Sequence, residues 1–183
     1  MKSVKLTAIA LAAILSAAAV PALAQVMVGG APMYSSKDII DNAVNSKDHT
    51  TLVAAVKAAG LVPTLKGAGP FTVFAPTNAA FAALPAGTVD TLLKPENKPA
   101  LTKVLTYHVV AGKLETAALI KAVDAGGGKA TLTEVSGGTL TVTKSGTMIM
   151  LSDESGGMAH VTIPDVVQSN GVIHVVDKVL LPK

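Results

Sequence analysis

The side chains best suited to proton transfer or metal ligation are four histidines: His49, His108, His160 and His174. A zinc site wants histidines paired at helical i,i+4 spacing or across a turn. None of the four lies within ten residues of another, so no metal centre is expected. Read from position alone, His49 is a surface residue and the other three lie on strands. A hydrolase needs a nucleophile, a histidine and an orienting acid. Here Ser136, Ser145 and Ser155 sit in glycine-rich turns, and no G-x-S-x-G elbow occurs. The carboxylates are scattered singly. Only Asp153-Glu154 are adjacent, and the turn Asp153–Gly157 lacks the oxygen-ligand spacing of a calcium loop. Gly126–Gly128 before Lys129 has no strand ahead of it and reads as a linker rather than a phosphate loop. The chain has no Cys, which excludes a disulfide framework, a thiolate metal site and a cysteine nucleophile. All 15 basic residues are Lys; without Arg there is no bidentate grip on phosphate or carboxylate. The chemistry points away from an enzyme, and no cofactor is expected.

The 183 residues suit one domain. Half are apolar and 15% charged, which excludes a disordered chain. Residues 1–24 read as a secretory signal. Lys2 and Lys5 form the positive start, Leu6–Val20 the apolar stretch, and Ala22-Leu23-Ala24 the small-residue cleavage site before Gln25. The apolar run is short of the ~20 residues a spanning helix needs, so the expectation is a secreted protein, periplasmic or extracellular, that does not span a membrane. Two of the 15 Lys leave with the signal, so 13 Lys against 12 acids leave +1. That near-neutral balance, with Phe71, Phe74, Phe81, Tyr34 and Tyr107 as its only aromatics, argues against nucleic acid.

The elements that must position these side chains divide the chain in two. Residues 25–34, with Gly29-Gly30 and Pro32, read as a flexible leader to a domain over 35–183. The first half reads as helical: Ser36 capping a helix through Asn45, a helix over Thr50–Ala59 ended by Gly60, one more turn over Leu61–Lys66, then short helices over Asn78–Leu84, Thr88–Leu93 and Lys98–Thr106. Phe71–Phe74 is a short strand, Thr77 caps the helix over Asn78–Leu84, and Tyr107–Val110 reads as a strand. After a helix over Thr116–Val123 the chain reads as β. Ala130–Val135 and Thr139–Thr143 form a hairpin around Gly137-Gly138, Met148–Leu151 and Ala159–Ile163 come next, and Asn170-Gly171 makes a tight turn. Val172–Asp177 and Lys178–Leu181 read as final strands. Helices first and antiparallel strands later predict an α+β domain.

Three segments are recognisable together. Gly69-Pro70-Phe71-Thr72-Val73-Phe74-Ala75-Pro76-Thr77-Asn78-Ala79-Ala80-Phe81 resembles the first signature segment of fasciclin domains. Leu105–Gly112, with Tyr107-His108, resembles the family's Tyr-His segment. Asn170–Pro182 resembles its closing segment. Their order and spacing fit, and the likeness spans about Tyr34–Lys183, most like single-domain secreted fasciclin proteins of bacteria. The resemblance implies an α+β fold, a β-sandwich wedge with several short helices packed along it. It also implies cell-surface adhesion or extracellular protein–protein interaction without catalysis. In animal matrix relatives, integrin recognition is ascribed to the Tyr-His segment and to an Asp-Ile pair upstream of the closing segment. The positions here are Tyr107, His108, Asp165 and Val166, which become the partner-binding candidates. On a strand, Tyr107 and His108 would face opposite ways, one of them buried.

The expected partner is an extracellular or cell-surface protein or glycan, with a monomer as the default state. The alternative is a carrier of an apolar small molecule such as a carotenoid or lipid. It rests on the resemblance to algal relatives and on an Ala-rich, Met-bearing surface.

Overall fold

The computed structural model describes residues 25–183, so the expected signal segment lies outside the described residues. In chain order the strands are β1 (Met27–Val28), β2 (Ala31–Pro32), β3 (Phe71–Pro76), β4 (Val109–Ala111), β5 (Lys129–Thr133), β6 (Thr139–Ser145), β7 (Met148–Ser152), β8 (Met158–Gln168) and β9 (Gly171–Val176). The α-helices are α1 (Ile39–Ala43), α2 (Thr50–Ala59), α3 (Val62–Leu65), α4 (Asn78–Ala82), α5 (Thr88–Leu92), α6 (Lys98–Tyr107) and α7 (Thr116–Ala125).

Seven strands form one mixed sheet in the order β4-β3-β9-β8-β7-β6-β5, in which only β3 and β9 pair in parallel. The long β8 is shared. Met158–His160 pair with β7, and Val161–Gln168 pair with β9 across two register shifts, at Val161/Ile163 and Ile163/Val166. Such shifts bend a strand and raise its twist. The fold is α+β as expected, and the strands form one hydrogen-bonded array turning at β8.

β3 and β9 are buried on both faces and divide the core, because side chains alternate along a strand. Val73, Ala75, Ile173 and Val175 join Ile39, Leu52, Ala55 and Leu101 in a helix-covered cluster. Phe74 and Val176 join Tyr107, Leu119, Val123, Leu140 and Leu151 in a cluster between α7 and the strand hairpins.

Four local expectations are corrected. Residues 25–34 are not a free leader: β1 and β2 pair, and Val28 and Met33 enter the helix-covered core. Helix α1 starts later than expected, with Asp38 as its cap, the carboxylate accepting from Asp41 N at 2.8 Å. Tyr107 ends α6 and His108 caps it, so the Tyr-His pair lies at a helix terminus rather than on a strand. Residues 178–181 form no strand and are held by side chains instead.

Candidate functional site

Where α6 ends, two successive residues turn inward and fasten three surface segments. Tyr107 is fully buried in the strand-side cluster. Its hydroxyl donates to Thr139 O at 2.8 Å and accepts from Glu154 N at 3.1 Å. One phenol thus ties α6 to the start of β6 and to the turn between β7 and β8. Glu154 doubles the link, its carboxylate accepting from Thr139 N and Oγ1 at 2.9 and 3.0 Å. Gly138 lies against the phenol ring, where an added Cβ would come within 2.8 Å of Tyr107 Cε2. Burial pushes the phenol's pKa up to about 12, so it remains a neutral donor and acceptor.

His108 is equally committed. Its Nδ1–H donates to Val104 O at 2.8 Å, and Nε2 accepts from Leu180 N at 2.9 Å. The tautomer is set by the partners, since a carbonyl only accepts and an amide only donates. Burial pulls its pKa down to about 4, so the ring is neutral at pH 7. The C-terminal tail that it grips is held further by Asp153 Oδ2, which accepts from Leu181 N at 2.9 Å, and by Lys103, which donates to Lys183 O at 2.5 Å.

Asp165 and Val166 occupy the bent part of β8. Asp165 has φ 55°, a left-handed conformation that Asp tolerates better than most residues. Its Oδ1 accepts from Thr116 N at 2.6 Å and so caps α7. Its own amide donates to His174 Nδ1 at 3.3 Å, and His174 Nε2–H donates to Leu114 O at 2.7 Å. Asp165 and the buried His174 therefore pin the segment leading into α7, and His174 stacks on Phe74 with ring centroids 5.6 Å apart. Val166 is a buried member of the helix-covered cluster. Of the four candidates, Tyr107, His108 and Val166 are buried and Asp165 is half-buried. Tyr107 and Val166 belong to different clusters, so the four do not form one exposed patch.

Two features escape the sequence reading. His49 is buried, not on the surface: its Nδ1 accepts from the Ser46 hydroxyl at 2.9 Å, and its Nε2–H points to Ala75 O at 3.4 Å. This is a Ser–His contact, but a backbone carbonyl stands where a triad has a carboxylate. Glu134, just past β5, is buried with Oε2 accepting from Ser136 at 3.3 Å and Oε1 without a partner. Burial, then the charges of Glu154 and Asp153, pushes its pKa up to about 8. A signal was present: Ala130, Leu132 and Glu134 share one parity on a strand. Among the described residues, no group of three or more His, Cys, Asp or Glu could hold a metal ion.

The family model for the fasciclin domain matches residues 47–182. The chain belongs to the fasciclin domain family. It is 49% identical over 158 residues to protein sll1483 of Synechocystis, covering 85% of this chain and 79% of that one. It is 39% identical over 145 residues to the immunogenic protein MPB70 of Mycobacterium bovis, covering 76% of this chain and 66% of that one. A FAS1 domain pair from the insect cell adhesion molecule fasciclin I has the same fold, with TM-score 0.70 at 18% identity, over 79% of this chain and 51% of that one. The family-model match begins inside the described region, so the hairpin β1–β2 and helix α1 precede the matched segment. No helix among the described residues is long and apolar enough to cross a membrane.

Proposed function

We propose that this fasciclin-domain protein is secreted after cleavage near Ala24 and works without catalysis, in cell-surface adhesion or extracellular protein–protein interaction. One observation carries the reading. The distinctive side chains of the family segments, Tyr107, His108 and His174, direct every polar atom at backbone groups of the same chain. None is left free to attack, ligate or shuttle a proton. Such a frame fits recognition by the surfaces it holds, and the structural relative named as a cell adhesion molecule supports the same class. In this reading Tyr107, His108, Asp165 and Val166 are positioning residues. They set the turns at 134–138 and 153–157, the tail at 180–183 and the entry to α7, and the partner, an extracellular or cell-surface protein or glycan, touches those segments.

The test is saturable binding of the purified protein to cell-surface and matrix fractions. Tyr107→Phe, His108→Gln and Asp165→Ala should weaken attachment while far-ultraviolet circular dichroism stays unchanged. Folded variants that bind like the parent would remove these residues from the recognition account. N-terminal sequencing of exported protein should begin at Gln25.

A further inference from the structure

Beneath the N-terminal hairpin the helix-covered core is not full. A cavity of about 40 Å³ lies between β1–β2, α1, α2 and the sheet face carrying Val73, Val166 and Ile173. Its wall is almost wholly hydrocarbon. The volume exceeds the roughly 10–15 Å³ that one water needs, but a buried water also needs two to four polar partners. Two imidazoles reach the space. His108 has both nitrogens in short bonds to Val104 and Leu180. His49 has its Nδ1 engaged by Ser46, while its Nε2–H meets Ala75 O at 3.4 Å, the far end of the hydrogen-bond range. The site is therefore an apolar void with the His49 imidazole in its wall, whose Nε2–H is held only by the long bond to Ala75 O, itself a lining residue.

Size sets the class of ligand. A cavity of about 150 Å³ takes benzene, so 40 Å³ accepts a ring only if a wall gives way. Met33 is the wall able to do so. It comes just after β2, lines the void and has an unbranched, freely rotating thioether chain. An extended polyene or acyl chain has no comparable room here, which narrows the apolar-carrier alternative raised by the sequence. We propose that this cavity binds a compact, uncharged apolar molecule of up to one ring carrying one acceptor oxygen, admitted by displacement of Met33 and oriented by His49 Nε2–H.

The probes are cyclohexanone, cyclohexane and a long-chain fatty acid, titrated into the protein while methyl shifts of Val73 and Ile173 are monitored by NMR. Cyclohexanone should saturate those shifts and bind at least several-fold tighter than cyclohexane, and the fatty acid should not bind there. Met33→Ala should tighten cyclohexanone binding several-fold. Val73→Ile, which fills the void, should raise the melting temperature and weaken binding about tenfold or more. Absence of saturation in both the parent and a folded Met33→Ala protein would overturn the site. So would a Val73→Ile protein that melts lower and binds unchanged. Equal affinity for cyclohexane and cyclohexanone would overturn the role of His49.

Discussion

The two cores of this domain err in opposite directions. The helix-covered core has room to spare: an apolar void lies among Val28, Met33, Ile39, Val56 and Val73, beside a fully bonded His108 and a His49 whose Nε2–H meets its carbonyl only at 3.4 Å. The strand-side core is closed to solvent, with Leu140, Val142, Leu151 and Ala159 wholly inaccessible, yet it encloses a carboxyl oxygen of Glu134 with no hydrogen-bond partner among the protein groups around it. Tyr107 and His108 stand between the two, one facing each core.

Truncation should expose the contrast most strongly. Leu151→Ala, in the solvent-closed strand-side core, should cost about 4 kcal/mol, and Leu52→Ala, beside the void, about 2–3 kcal/mol because α1 and the hairpin can settle into the space. Denaturant midpoints at constant slope measure both. Next comes His108→Gln, which should cost about 2–3 kcal/mol by leaving buried partners at Val104 and Leu180 unmatched.

The pH profile separates the cores by sign. Burial raises Glu134 from 4.5 to about 8, so across that window the folded protein keeps a proton that the unfolded chain has released, and stability falls as pH rises. Burial lowers His108 from 6.5 to about 4, so stability is lost as pH falls across that window. Where one site alone differs by a full proton, the slope is about 1.4 kcal/mol per pH unit. Glu134→Gln should flatten the profile above pH 6.5 and steepen the rise between pH 4.5 and 6.5, where the Glu134 and His108 windows overlap and oppose each other, as read by urea titrations from pH 4 to 9. The smallest expected effect is Asp38→Ala, which removes the α1 cap for about 1 kcal/mol.

Much of the frame was legible because it rests on local backbone chemistry. Gly60 ends α2 in the left-handed region at φ 74°, Thr77 caps α4, and β9 is buried on both faces, as their residue types imply. What was not legible depends on distant contacts. Asn170 reads as a turn residue, yet its side chain also accepts from Ile39 N and donates to Leu65 O and Gly67 O, more than 100 residues away. His49 reads as exposed because its neighbours Lys47, Asp48 and Thr50 are polar, and only the approach of β3 buries it. Tyr107 reads as a strand residue because Val109 and Val110 come soon after it, although the helix runs one residue further than Thr106. The inward direction of the Tyr-His pair, and hence its positioning role, was therefore visible only once α6 had been placed.

That role is tested most directly by amide hydrogen exchange at Glu154 in the Tyr107→Phe protein. If the buried phenol holds the 153–157 turn, the Glu154 amide, which loses its acceptor, should exchange about tenfold faster or more, while the Leu180 amide on His108 keeps its protection. Unchanged exchange at Glu154 would contradict the account, reducing Tyr107 to a core residue that positions nothing on the surface.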